Sequence, residues 1–527
     1  MATMRREPCA IVVAVLGGLL PGAHAQKLEI KPALNVLATA TTNASDTGST
    51  PSKDLVISTS PELSVSYTGA RARIEGQIKV DHVHFTRNKN DDHPDRTLPS
   101  GGLLVHTDLV EQWGGLDASV QTRQTPATLL TRQSATPGVT DSYTTTLARI
   151  APFIEHAFSA NTRLAARFER SVIQSDEATP GLAQRPDSHL SRHVARLERQ
   201  PVPLGASLEW SYQDTQDGGL AESTLKDNAV RGSVSYAVNE QVHAGLILGR
   251  ETVRVPQAQQ SDTIRGANLV WRPNERATLD ATVERRFFGT GWKVDWNHRM
   301  KSLVWGIASE RDASTYASSL SSPFGFGLGA PSGTGSVNPI GSSTGSSSGT
   351  SAGSGTGTAT GGTGLGGFPS AGAPGATTSP VAAQSVYSLS ASLRQALQGR
   401  LVIMGLRNTL TFAGGVNKTG PLPLRNVLNP GANTDQTQER YLDTEFNRRL
   451  SPNTTLSAGV RWGLTNVVSP TSTNNGRSRN VMWRSAINTR LSPMATATVG
   501  LRHQTTQGNQ TNASDESALY VGLGYRY

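Results

Sequence analysis

The 527-residue chain carries a formal charge of +9 at pH 7, a single cysteine and a mean hydropathy of −0.34. One cysteine excludes a disulfide framework and a thiolate metal cluster. Beyond residue 25 there is no run of about 18 apolar residues, which excludes a membrane-spanning helix. Negative hydropathy does not exclude a membrane protein, because a barrel strand places a polar residue at every second position.

The first residues read as an export signal. Arg5 and Arg6 form a positive start, Ala10 to Leu20 a short apolar run, and Ala23-His24-Ala25 a small-x-small cleavage site, so residues 1–25 are expected to be removed before Gln26. Cys9 precedes the apolar run, so the mature chain is cysteine-free and has no lipoprotein cysteine. Loss of Arg5, Arg6 and Glu7 leaves a formal charge of +8. The charges alternate within predicted strands and form no block, so nucleic acid is not an expected partner.

Strand character begins at once. Leu28, Ile30, Leu34, Val36, Ala38 and Ala40 alternate with mostly polar neighbours, which leaves no room for an N-terminal plug domain. After a polar stretch, Leu63, Val65 and Tyr67 lie on one face of a strand that turns at Thr68-Gly69. The returning strand sets Ala70, Ala72, Ile74, Gly76, Ile78 and Val80 against Arg71, Arg73, Glu75, Gln77, Lys79 and Asp81. One face of such a strand needs water and the other needs oil or a core. Long polar gaps (84–101, 125–141) then alternate with short turns (Gly114-Gly115, 159–162), a rhythm that matches outer loops and periplasmic turns of a transmembrane barrel. Val230, Val234, Tyr236 and Val238 are expected to pair across Asn239-Glu240 with Val242, Ala244, Leu246 and Leu248.

A hairpin unit recurs. Asn447-Arg-Arg-Leu-Ser-Pro-Asn-Thr-Thr-Leu-Ser-Ala-Gly-Val-Arg461 matches Asn488-Thr-Arg-Leu-Ser-Pro-Met-Ala-Thr-Ala-Thr-Val-Gly-Leu-Arg502, with a looser copy from Trp271 to Arg285. Proline fixes φ for a tight turn and cannot donate to a ladder, so each copy reads as strand, turn, strand. Trp113 and Trp271 beside predicted turns suit an interfacial aromatic girdle or ordinary core packing. Residues 318–384 form a Gly/Ser/Thr-rich insertion, within an interval from Asp312 to Arg394 that has no other charged residue. Such a segment buries no core and reads as a disordered loop, on the outer surface if the N-terminus is periplasmic.

The chain closes on Leu519, Val521, Leu523, Tyr525 and Tyr527, alternating with Tyr520, Gly522, Gly524 and Arg526. This strand is long enough to cross a bilayer at a tilt and ends on an aromatic carboxyl terminus, like the signal read by barrel assembly machinery. It is expected to pair with the Leu28–Ala40 strand, its odd-numbered residues facing lipid. The predicted fold of residues 26–527 is all-β: a single, large, closed antiparallel transmembrane barrel of about 22 strands, an even number that keeps both termini periplasmic.

Certain residues carry a family likeness: Pro61-x-Leu63 before Gly69-x-Arg71; Trp271-Arg-Pro-Asn-Glu-Arg276, Arg286-Phe-Phe-Gly289, His298-Arg299 and Trp305; and Gly405-Leu-Arg-Asn-Thr409. Together they resemble the PEP-CTERM system-associated outer-membrane β-barrel proteins, over most of the chain outside the Gly/Ser insertion. The resemblance implies an outer-membrane location in a Gram-negative envelope and genomic company with exosortase and exopolysaccharide genes. It implies a conduit or scaffold for export or surface display, and supplies no catalytic residues.

Arg71, Arg73, Lys79, Arg163, Arg167, Arg231, Arg461 and Arg502 mostly sit opposite apolar faces, the positions that line a barrel's interior. Either they make a basic lumen favouring anionic polysaccharide, or they form an arginine–carboxylate network that props or plugs the barrel. The basic excess also suits lipopolysaccharide phosphate. His82-x-His84 has one-face metal spacing without completing ligands. Gly414-Gly-Val-Asn-Lys-Thr419 lacks the spacing of a phosphate loop, and no Ser/His pair is brought together. No enzyme, cofactor or metal is expected.

Overall fold

A computed structural model describes residues 27–44, 52–87, 95–126, 134–136, 138–139, 142–177, 187–217, 223–255, 258–315, 317–318, 391–424, 436–468, 475–509 and 513–527. The expected signal peptide (1–25) and residues 319–384 of the insertion lie outside the described residues. The first eight strands are β1 (Lys27–Thr41), β2 (Asp54–Thr68), β3 (Ala72–Phe85), β4 (Arg96–Val110), β5 (Gly114–Pro126), β6 (Ser142–Ser159), β7 (Thr162–Glu177) and β8 (Ser188–Arg199). Then come β9 (Leu204–Asp217), β10 (Ser223–Ala237), β11 (Val242–Val255), β12 (Ala258–Asn274), β13 (Ala277–Arg286), β14 (Gly289–Arg299) and β15 (Leu303–Ser314). The last seven are β16 (Ser392–Met404), β17 (Asn408–Pro421), β18 (Gln436–Arg449), β19 (Thr454–Val468), β20 (Gly476–Arg490), β21 (Ala495–Gly508) and β22 (Ser514–Arg526).

Every strand pairs antiparallel with its sequence neighbours, and β1 pairs with β22 from Ala33 opposite Arg526 to Thr41 opposite Ala518. The sheet therefore closes on itself as a 22-stranded barrel with no free edge, the one way a sheet satisfies its backbone in hydrocarbon. Leu519, Val521, Leu523, Tyr525 and Tyr527 are exposed on the outside, and Ala518 and Tyr520, on the alternate positions, are buried. Tyr525 and Tyr527 meet edge to face at 4.7 Å rather than entering a core.

The two ends of the barrel differ. At the end holding Lys27 and Arg526, all ten connections have two to four residues. The repeated hairpins lie here, and both closely matched copies close alike: Leu450 N–H donates to the Thr454 carbonyl and Leu491 N–H to Ala495, each at 2.9 Å. The other end carries the long connections, including the one holding the Gly/Ser insertion. The alternation is incomplete, however. The β11–β12 and β13–β14 connections at the long-loop end have only two residues each. In the second, Gly289 takes φ +100°, where a side chain is strained, so glycine permits the turn after Phe287-Phe288.

Most apolar bulk lies outside, as on Leu246 and Leu248 of β11 and Leu34 and Val36 of β1, all exposed. Trp113, in a short turn, and Trp271, near one, are likewise exposed. The largest inner apolar clusters sit at the long-loop end. Val56, Val83, Phe85 and Leu98 of β2–β4 pack with Ala44 and Val139; Leu225, Val253, Phe287 and Phe288 pack with Leu422.

Candidate functional site: the ion-paired inner wall

Successive residues of a strand alternate between wall faces, so charges on alternate positions of neighbouring strands meet inside the barrel. Each of the eight sequence-predicted basic residues has a carboxylate partner. Arg71 and Arg163 lie near the short-turn rim, largely exposed, 3.4 Å from Glu111 and 3.7 Å from Glu198. Arg73 pairs with Glu75 at 2.5 Å and Lys79 with Asp81 at 2.8 Å, both two residues along β3 and so on one face. Arg167 is buried on Asp117 at 2.7 Å, and His106 shares that carboxylate at 2.7 Å. Arg231 lies between Glu209 (3.6 Å) and Glu284 (3.4 Å) and donates to Ser211 Oγ at 3.0 Å. Arg461 lies 3.9 Å from Asp443. The structure does not gather these eight into one basic site. It distributes them around the wall, with Arg149–Glu169 (2.9 Å) and Arg394–Glu310 (3.2 Å) adding further pairs of the same kind.

Arg502 is different. It and Glu516, 2.8 Å apart on β21 and β22, are both essentially inaccessible. The burial comes from the β5–β6 connection, which folds inward over the wall strands β21 to β4. Thr136 and Ser134 each donate to Glu516 at 2.7 Å, Thr41 of β1 donates at 3.1 Å, and Arg502 donates to Thr136 Oγ1. Val139, three residues on, is the buried apolar contact to β2–β4 described above.

Sequence reasoning passed over the largest charge node. Arg286, at the top of the short β13, contacts Glu251 (2.9 Å), Asp227 (3.0 Å) and Asp312 (2.6 Å), drawn from β11, β10 and β15. Glu251 also accepts the Phe287 N–H at 2.6 Å, and the guanidinium lies 5.1 Å from the Phe288 ring centre. A charge so deeply buried is tolerable only because every direction from it meets an acceptor or a π-face. The sequence signal was the Arg-Phe-Phe-Gly segment, which above carries only a family likeness; nothing local shows that its arginine reaches three other strands. Leu422 and Leu424 of the β17–β18 connection pack onto the same aromatic pair, and Thr315 Oγ1 donates to Thr215 Oγ1 at 3.3 Å.

The other motifs dissolve into the sheet. His84 Nδ1 is 2.9 Å from Asp95 and His82 Nδ1 3.1 Å from Thr97 Oγ1; no group of three or more potential metal ligands occurs among the described residues. Gly414–Thr419 lies wholly within β17. Chemically, the inner wall offers a polar surface of paired charges, firm in position and with little net sign.

No protein-family model matches the sequence, and no curated protein does. Solved structures similar to it include the siderophore receptor PirA from Pseudomonas aeruginosa, at 9% identity and TM-score 0.42, covering 95% of this chain and 80% of that one. The FrpB iron transporter from Neisseria meningitidis is similar at 10% identity and TM-score 0.48, covering 94% and 81%. OpdK from Pseudomonas aeruginosa, solved with vanillate, is similar at 9% identity and TM-score 0.36, covering 95% and 99%.

Proposed function

We propose that this chain is an outer-membrane β-barrel that serves as a passive conduit or scaffold in exopolysaccharide export or surface display. The observation that carries the membrane part is the sorting of the closed wall. Its outer face is apolar through the middle of the strands, and its inner face carries the ion pairs. Only a bilayer outside and water inside reward that arrangement, and closure removes every unpaired strand edge. The termini then lie on the periplasmic side and the long connections outside the cell. The exopolysaccharide part rests on the family resemblance. A wall of paired charges suits a hydrated polymer, because it presents hydrogen-bonding groups without holding one sign of charge tightly.

A second reading, a structural or surface-interaction scaffold whose plugged lumen conducts nothing, is supported by the burial of Arg502, Glu516 and Thr136 and by the packing of Leu422 on Phe287 and Phe288. Conductance in planar bilayers separates the two. Folded protein that gives steady ohmic steps supports the conduit. Folded, inserted protein that stays silent overturns it and leaves the scaffold.

A further inference from the structure

Many inner cations are ion-paired, whereas among the described residues several outer ones have no carboxylate within ion-pair distance. Six side chains on β15–β20 are direct cross-strand neighbours in one continuous row. Arg311 stands opposite Gln395, Gln395 opposite Lys418, Lys418 opposite Gln438, Gln438 opposite Asn466, and Asn466 opposite Arg477. Directly opposed residues share a face, and here the face is the outer one, since the ion pairs Arg394–Glu310 and Arg461–Asp443 occupy the alternate, inward positions of these strands. The row lies near the long-loop end. On the same outer face, nearer the middle of these strands, come Ile307, Leu397, Leu442 and Trp483, all exposed.

The row lines a groove of about 740 Å³ with no acidic residue in its lining. Lys418 and Arg477 are exposed, as are Arg440 and Arg479 further along the outer faces of β18 and β20. Among the described residues, no carboxylate lies within ion-pair distance of these four. Arg265 and Arg285, opposite one another on β12 and β13, extend the basic side of the barrel. With strands about 4.8 Å apart, Lys418 and Arg477 stand roughly 14 Å from each other, with amide side chains between them. Two unpaired cations over one groove that has no acidic lining, with amide side chains between them, form a surface complementary to an anion bearing more than one charge. The apolar band beside it indicates that the anion is carried on lipid.

We propose that this row docks a phosphorylated glycolipid of the outer leaflet. Headgroup phosphates sit on Lys418 and Arg477, while Arg311, held by the Thr290 carbonyl and the Trp292 and Phe288 rings, closes the end of the row. Sugar hydroxyls meet the Gln395, Gln438 and Asn466 side chains, which both donate and accept. Acyl chains lie along Leu397, Leu442 and Trp483. The assignment rests on the outer-membrane reading above.

The test uses the exported full-length chain, folded in detergent, with bis-phosphorylated lipid A as probe and native mass spectrometry counting bound copies. Wild-type protein should retain lipid A and lose most of it when the lipid is dephosphorylated. The Lys418→Gln/Arg477→Gln pair should weaken retention about tenfold, since each basic side chain near an anionic lipid surface contributes a few-fold. Arg448→Gln, on the same outer face but at the short-turn end, should match wild type. Equal retention by the double variant, equal retention of dephosphorylated lipid A, or displacement by inorganic phosphate alone would each overturn the site. Bilayer insertion is scored separately on wild type. Insertion without phosphate discrimination removes only the glycolipid site, whereas failure of folded protein to insert removes the membrane reading and the site with it.

Discussion

Arg286 offers the most demanding test of how this barrel is held together at its long-loop end. Replacing it with methionine keeps most of the volume and removes the charge. Asp227 and Glu251 then lose their cation while remaining inside the wall, and Glu251 has no access to solvent at all. Breaking a buried ion pair by removing one partner costs about 3–5 kcal/mol, because the remaining charge is stranded. Asp312, 60% exposed, adds less than about 1 kcal/mol of that. Arg286→Met should therefore lower unfolding free energy by roughly 3–5 kcal/mol, followed as tryptophan fluorescence against denaturant in detergent. Adding Glu251→Gln should recover part of the loss, because the neutral amide no longer needs a counter-charge. An Arg286→Met protein that unfolds at the wild-type denaturant concentration would refute the claim that this node supports the wall.

Two smaller perturbations probe the wall itself. Leu523→Arg places a charge on the outer face of the closing strand and should cost about 2–4 kcal/mol if that position lies near the bilayer midplane; refolding yield into lipid vesicles measures it, and an undiminished yield would count against the outward assignment. Gly289→Ala should destabilise by about 1–2 kcal/mol purely through its positive φ, since the nearest atom to a new Cβ is Arg311 Nη1 at 3.9 Å. Gly463→Ala, with ordinary φ and nothing within 4 Å, should be neutral, and equal thermal midpoints for the two alanine variants would contradict the strain argument.

Much of this architecture is written locally. Strand polarity alternates residue by residue, so Ile74 to Asp81 and Leu519 to Tyr527 declare which side chains share a face without reference to any partner. Pro452 and Pro493 mark turns because a proline constrains only its own backbone. Closure follows almost as directly, since a chain made of such strands must seal its edges to live in lipid. Partnership is another matter. Arg71, Arg163 and Arg502 look alike in sequence, yet two are rim residues in water and the third is enclosed by a connection that begins hundreds of residues earlier. Arg286 finds Glu251, Asp227 and Asp312 only because β10 to β15 stand in register around the wall.

The division between what was legible and what was not follows the range of each interaction. Periodicity and turn chemistry act between residues a few positions apart, and these determined the barrel. Charge pairing acts across strands, through register and through connections that fold onto the inner wall. The outer row from Arg311 to Arg477 exists only once six strands are laid side by side, because each contributes one side chain and no stretch of sequence holds two.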